Sequence, residues 1–285
     1  MKKQNSEQGS LHMVGGDKGL WWKILVSCLI IFIYLMPLYV LLMRSLKALS
    51  DGSTFMSPPR ELYLDNYLSV IGDGTILRAY RNTLIVTVCT VFTDVLVSCM
   101  AAYPLARNQT RLNGLIRMVF MGVMMIPPLT ILVGVYTFLV GINAINHYWG
   151  IVFVSVAFGL PMSVFMFTNF IGSIPKALDE AAIIDGANIF QTFIHIILPE
   201  LKPVIATIVI LHGVSVWNEY AYSIYILQKP ELATITLTIK QHFSSVKNDY
   251  GGAAASAVLG ILPLIILYIF LQDYFVRGQI DSAIK

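Results

Sequence analysis

Charge is what this sequence has least of. Asp, Glu, Lys and Arg make up 12% of its 285 residues, about half the share usual in a soluble globular domain, whereas 56% are hydrophobic. So large an apolar excess cannot all be hidden inside a domain of this size, so lipid must cover the rest. The net charge of +3 is small for the length, and no Lys/Arg cluster is interleaved with aromatics, so nothing points to nucleic acid. Cysteine is scarce as well. Cys28, Cys89 and Cys99 lie in apolar runs, and no two have metal-ligand or redox spacing. His195 and His212 lack partners at metal spacing and read as structural. A Gly-x-x-x-x-Gly-Lys-Ser/Thr loop is missing, which excludes ATP binding by that route. So are Gly-x-Ser-x-Gly and His-Glu-x-x-His, which leaves no evident nucleophile or metal site for an intramembrane enzyme.

Long apolar runs are what the sequence does have. A helix needs about 20 mainly apolar residues to cross the hydrocarbon core. No charge falls between Lys23 and Arg44, which predicts a first span over 24–43. A second, over 82–107, contains one carboxylate, Asp94. From Met118 to Pro175 there is no Asp, Glu, Lys or Arg. That stretch suits two spans, 118–140 and 150–171, turning at Asn143, Asn146 and His147. A fifth is predicted over 204–227, with Glu219 inside it, and a sixth over 253–272. The expectation is an all-α membrane protein of six transmembrane helices: a segment 1–23, a six-span domain 24–277 with a loop at 172–203, and a tail 278–285. Leu25-Val26-Ser27-Cys28 resembles a lipoprotein cleavage box, but it starts the apolar run instead of ending it, so the segment reads as an uncleaved anchor. Pro127-Pro128 predict a kink or break in the third span. Gly252, Ser256 and Gly260, spaced by four, let helix backbones approach closely.

Six crossings put both termini on one side. If that side is cytoplasmic, Arg44, Lys47, Arg60, Arg78, Arg81, Lys229, Lys240 and Lys247 lie outside, and the other eleven of the nineteen Lys and Arg residues lie inside. The bias favours cytoplasmic N- and C-termini.

The most informative stretch joins the fourth and fifth spans. Glu180 to Ile184 favours a short helix, with Asp179 and Glu180 placed to complement its N-terminal dipole. Gly186 then permits a sharp change of direction, and a second helical stretch, 189–197, ends before Pro199. The product is a compact, mostly apolar knob with acidic edges, and small residues at Ala181, Ala182 and Ala187 suit it to enter a cleft on another protein.

The pattern Glu180-Ala181-Ala182, three residues, Gly186, nine residues, Ile196, any residue, Leu198-Pro199 is met without a gap. It resembles the signature loop of ATP-binding-cassette (ABC) importer permeases. Asp65-Asn66-Tyr67 with Arg81-Asn82-Thr83, Trp217-Asn218-Glu219-Tyr220, and Tyr274-Phe275-Val276-Arg277-Gly278 resemble the maltose-type sugar permease branch, specifically its smaller six-span partner. The resemblance implies an importer permease fold whose cytoplasmic coupling helix, carried by Glu180, Ala181, Ala182, Asp185, Gly186, Ala187, Asn188 and Pro199, sits in a groove of a separate ATPase. It further implies a second permease subunit, two copies of the ATPase, an extracellular solute-binding protein, and the bacterial cytoplasmic membrane as location. ATP and Mg would be held by the ATPase, and no cofactor by this chain. Ser245, Asn248, Tyr250, Gly251 and Gly252 would reach toward the binding protein. For the two glycines an ordinary turn before a helix is an equal reading.

Two readings of Asp94 stand open: a polar wall of the cargo path, or a hydrogen bond to a neighbouring helix. Its insertion costs about 2.5–3.5 kcal/mol, which the surrounding apolar residues offset. Trp217, Asn218, Glu219 and Tyr220 combine aromatic faces with amide and carboxylate edges, as a sugar requires, although Trp and Tyr also anchor spans at the interface. An ion-coupled secondary transporter using Asp94 and Glu219 is the main alternative, but no internal repeat is present. A permease for a non-sugar solute would share the coupling loop.

Overall fold

The computed structural model describes residues 20–242 and 249–283. The segment 1–19, and with it most of the expected N-terminal segment, lies outside the described residues, as do Ser245 and Asn248.

Among the described residues, four helices are long and apolar enough to cross a membrane: α1 (Leu20–Ser45), α3 (Thr75–Arg107), α6 (Tyr148–Ser173) and α13 (Tyr250–Ala283). Two bent pairs bring the number to six if each counts as one span. One joins α4 (Arg111–Met124), through a 3-10 turn at Pro128–Ile131, to α5 (Leu132–Gly141), with a bend of 91°. The other joins residues Ile189–Glu200 to α10 (Lys202–Trp217), with a bend of 70°. In that first arm, α8 (Ile189–Thr192) runs through a π-helical stretch, Phe193–Ile197, into α9 (Leu198–Glu200). The shorter helices are α2 (Asp65–Gly72), α7 (Ala177–Ile184), α11 (Ser223–Ile226) and α12 (Ile235–Gln241). The all-α, multi-pass expectation holds.

Two boundaries differ clearly from the hydropathy reading, and the break expected at Pro127-Pro128 is complete. The second span starts at Thr75, seven residues early, because Gly74, at a φ of 70°, turns the chain directly from α2 into α3. At about 1.5 Å per residue, α3 is roughly 50 Å long and projects beyond the hydrocarbon core. The third span is fully broken. Pro127 takes an extended conformation, as a residue before proline prefers. Its carbonyl accepts bonds from the Thr130 amide and hydroxyl, and the Tyr222 hydroxyl donates to the Pro128 carbonyl. In the fifth span, α10 ends at Trp217 and not Leu227, so Glu219 lies after the helix and not within it. Asn218 stops it there, its amide donating back to the Val214 carbonyl at 2.9 Å.

The bundle is organised around α3 and α6, which pack along much of their length, with α10 against both and α13 against α1 and α10. Its apolar core has two main layers. Near the coupling loop, Ala102, Phe167, Ile171, Phe193, Ile197 and Leu201 form one layer; toward the opposite end, Val86, Leu139, Ile151, Val154, Val216 and Ile226 form the other. Buried asparagines pin the loops at that far end. Asn82 donates to the carbonyls of Glu231 and Ala233 and accepts from the Tyr148 hydroxyl. Asn66 donates to the carbonyls of Ser45 and Lys47. These contacts give Asn66 and Asn82, in two of the motif stretches, a structural purpose: each satisfies backbone groups that would otherwise be buried unpaired.

Candidate coupling and cargo sites

The coupling knob is closed at both of its turns by local hydrogen bonds. α7 ends in a Schellman motif, in which the Gly186 amide donates to the Ile183 carbonyl and the Ala187 amide to the Ala182 carbonyl. Gly186 has a φ of 88°, a conformation for which glycine is the natural residue. Two residues later α8 begins with a capping box: the Asn188 side chain accepts from the Gln191 amide, and the Gln191 side chain accepts from the Asn188 amide, both at 2.9 Å. One helix is stopped and the next started within three residues, so the turn has little freedom to deform.

The base of the knob is tied to the bundle by a cluster that motif reading passed over. The Arg107 guanidinium, at the end of α3, grips the Asp179 carboxylate with two nitrogens, at 2.7 and 3.2 Å. Its remaining nitrogen donates to the carbonyls of Ile171 and Ile174 at the end of α6. The Tyr103 hydroxyl donates to the same carboxylate at 2.7 Å. One side chain thereby joins the coupling helix to both central spans. The signal in the sequence was only that Asp179 is acidic and Arg107 basic. Nothing linear connects them.

The knob's residues divide by face. Asp179 and Ala182 are buried against the permease body, so Ala182 presents no surface to a partner. Glu180, Ala181, Asp185 and Asn188 are exposed and Ala187 is half-buried. Beside them is an apolar face that the small-residue pattern did not single out: Ile183, Ile184, Ile189 and Phe190, with Ile184 84% exposed. A cavity of about 480 Å³ runs beneath α7, bounded by Tyr103, Arg107, Glu180, Ile183 and Ile189. Pro199 sits at the bend into α10, next to the fully buried Leu201.

The polar residues expected on the cargo path do not share one surface. Asp94 is fully buried and accepts from Ser163 at 2.5 Å on α6 and from His212 Nδ1 at 2.9 Å on α10. Such a bond between neighbouring helices was one of the two readings left open. His212 is thus a partner of Asp94, 118 residues away. Trp217 packs with Ala79 and Ile235 and donates to the Gly260 carbonyl at 3.1 Å. The Glu219 carboxylate caps α11, accepting from the Tyr222 and Ser223 amides and the Ser223 hydroxyl. Asn218 and Tyr220 are exposed beside it. Gly251 and Gly252 are buried in the first turn of α13: a Cβ on Gly251 would fall 2.6 Å from Asn66 Oδ1, and one on Gly252 2.1 Å from Asp249 Oδ2. Of the expected outer contact residues within the described chain, only Tyr250 is exposed.

Comparison with known proteins agrees with this architecture. Residues 94–281 match the family described as binding-protein-dependent transport system inner membrane component. The chain is 34% identical to the melibiose/raffinose/stachyose import permease protein MelC of Bacillus subtilis, over 92% of this chain and 95% of the relative. It is 30% identical to the multiple sugar-binding transport system permease protein MsmG of Streptococcus mutans, over 93% and 97%. Among solved structures, a chain of a bacterial ABC transporter that imports the acidic polysaccharide alginate superposes with a TM-score of 0.77 at 22% identity, covering 90% of this chain and 95% of that one.

Proposed function

Because this chain belongs to the family of binding-protein-dependent transport system inner membrane components, we propose that its knob, from Ala177 to Phe190, seats a separate ATPase subunit and carries that subunit's motion to the spans. The chain is a multi-pass permease subunit of an ABC importer in the bacterial inner membrane, and it is not the ATPase. Its cargo is a sugar or oligosaccharide, as the names of its permease relatives indicate. An ion-coupled secondary transporter is not needed to account for Asp94 and Glu219, since one holds three helices together and the other caps a helix.

The observation that carries the coupling reading is an exposed apolar face on a rigid base. Ile183, Ile184, Ile189 and Phe190 offer a partner surface to bury, while the Schellman turn, the capping box and the Arg107–Asp179 pair keep the knob's shape under load. Displacement of the knob would pass through Arg107 to α3 and α6, and through the bend at Leu201 to α10. Alternating access then requires the ATPase to hold the knob differently in its two states. In this arrangement the knob and both termini are cytoplasmic, the permease domain runs from 24 to 277, and the tail from 278 reaches toward the ATPase. A second permease subunit completes the membrane unit, two ATPase copies hold ATP and Mg, and an extracellular binding protein delivers cargo near Tyr250 and the adjoining Ser245 and Asn248.

The test is Ile184→Asp in the assembled transporter. Ile184 is almost wholly exposed, so the permease itself should fold and insert unchanged. The expected result is loss of the co-purifying ATPase subunit and of cargo-stimulated ATP hydrolysis in lipid. An Ile184→Asp complex that retains the ATPase and hydrolyses like wild type would overturn the assignment.

A further inference from the structure

Two adjoining cavities, of about 380 and 280 Å³, lie between α6 and α10 and share Phe158, Gly159, His212 and Ser215. Neither Asp94 nor Trp217 lines them. The notch reaches from the broken third span at Pro128 to Met166 near the coupling end, and His212 stands where the two cavities meet. Its ring is held on one edge only. As a carboxylate oxygen, Asp94 Oδ2 accepts from Nδ1, so Nε2 is the ring atom left to meet a ligand, as an acceptor wherever the ring carries a single proton. No partner for Nε2 occurs among the described residues. Gly159 makes room for this pose: a Cβ there would fall 2.0 Å from His212 Cε1 and 2.5 Å from Nε2. Ser163, on the same Asp94 oxygen, fixes the carboxylate that fixes the imidazole.

The rest of the lining is uncharged or self-satisfied. Ser155, Ser163 and Ser215 bring hydroxyls, Phe158, Met162 and Leu211 bring apolar surface, and Glu219 is engaged as the cap of α11. There is no Lys or Arg in either lining. Alternating hydroxyl, imidazole and apolar patches match a neutral saccharide, whose hydroxyls donate and accept and whose CH faces pack on rings. A carboxylated saccharide would enter such a notch without a cation to meet it, at a desolvation cost.

We propose that the α6–α10 notch is this subunit's share of the cargo passage, and that His212, positioned by Asp94 and Ser163, accepts a hydrogen bond from a hydroxyl of a neutral saccharide. This rests on the permease reading and narrows its substrate class. Of the residues the sequence offered for the cargo path, Asp94, Trp217, Asn218, Glu219 and Tyr220, only Glu219 lines the notch, and the contact passes to His212 and Ser215.

The test uses the complete transporter in proteoliposomes, with uptake of a neutral oligosaccharide and cargo-stimulated ATP hydrolysis measured together. Ser215 is exposed and makes no side-chain bond among the described residues, so Ser215→Trp should fold and fill the notch. The expected result is uptake at least roughly tenfold lower with hydrolysis within about twofold of wild type, so that sugar moved per ATP falls. His212→Phe keeps the ring's bulk but removes both the acceptor and the partner of Asp94, so uptake is taken per assembled complex, where it should fall roughly three- to tenfold, the weight of one hydrogen bond to cargo. Uptake at wild-type level in both variants overturns the proposal. So does an equal fall of uptake and hydrolysis in Ser215→Trp, which would mean that the notch closes on the second permease and not on cargo. A uronic-acid oligosaccharide transported as well as the neutral one overturns the neutral class. If wild type shows no cargo-stimulated hydrolysis at all, the permease reading fails first, and the two failures are told apart.

Discussion

Arg107 and Asp179 are 72 residues apart and form a two-point ion pair at 2.7 and 3.2 Å, with side chains only 10% and 12% exposed. The guanidinium also serves two carbonyls at the end of α6. A planar fork with five donors can satisfy a carboxylate and two carbonyls together; a lysine ammonium cannot reproduce that geometry. The pair is therefore a mechanical joint between the coupling helix and the two central spans.

Arg107→Lys should leave the permease in the membrane with its ATPase bound, yet lower cargo-stimulated hydrolysis and uptake together by roughly tenfold, the equivalent of one strong charge-assisted bond. Assembly is checked by co-purification and coupling by hydrolysis in lipid. An Arg107→Lys complex with wild-type coupling would show that a single point charge suffices and that the fork has no mechanical role.

Gly186 carries the left-handed turn that ends α7. An Ala at this φ of 88° costs about 1–2 kcal/mol, while Asn tolerates the conformation better. Stimulated hydrolysis should therefore rank Gly186 above Gly186→Asn, above Gly186→Ala, with Gly186→Pro lowest, since proline fixes a negative φ and also removes the amide that donates to Ile183. Any other order, measured at equal assembly, would count against a rigid turn.

Gly159→Ala forces a methyl group into the His212 ring. The ring must move, which breaks its contact with Asp94 and leaves a buried carboxylate short of a partner, at a cost on the order of 3–5 kcal/mol. Thermal unfolding of the solubilised complex should shift down clearly. Because the clash needs both side chains, Gly159→Ala combined with His212→Ala should be more stable than the sum of the single effects predicts. Strict additivity would mean that the methyl group is accommodated some other way.

Trp217 lies with α12 and α13, away from the notch. Trp217→Phe removes the indole N–H that donates to the Gly260 carbonyl and should cost about 0.5–1.5 kcal/mol for that bond. The concentration dependence of uptake should not change. A changed apparent affinity for cargo would return Trp217 to the passage.

The legibility of this chain followed the range of the physics involved. Asp179 and Glu180 could be read as a helix start and Gly186 as its stop, because helix ends and left-handed turns are decided within four residues; the Asn188 cap that restarts the helix was seen only in the structure. Pro127-Pro128 announced a break for the same reason. The end of α10 was misplaced by ten residues because an apolar run continues past Trp217, while the termination comes from Asn218 bonding back to Val214 and from Glu219 turning to cap the next helix. The knob read as mostly apolar, but which of its residues form the exposed face, Ile183, Ile184, Ile189 and Phe190, was not legible, because in a membrane protein apolar residues stand out nowhere.

By itself, then, the sequence determined that the chain lives in lipid, how many apolar segments it offers a bilayer, and where the coupling loop stops and restarts its helix. These follow from hydrocarbon thickness and from local backbone chemistry, both of which act along the chain. Only the tertiary structure decided that Arg107 grips Asp179, that Asp94 is sealed beneath Ser163 and His212, that Trp217 turns away from the notch, and that Gly159 makes room for an imidazole. Each of these pairs groups from different helices, many residues apart, and in an apolar medium a polar side chain is committed by the one partner that packing brings within reach.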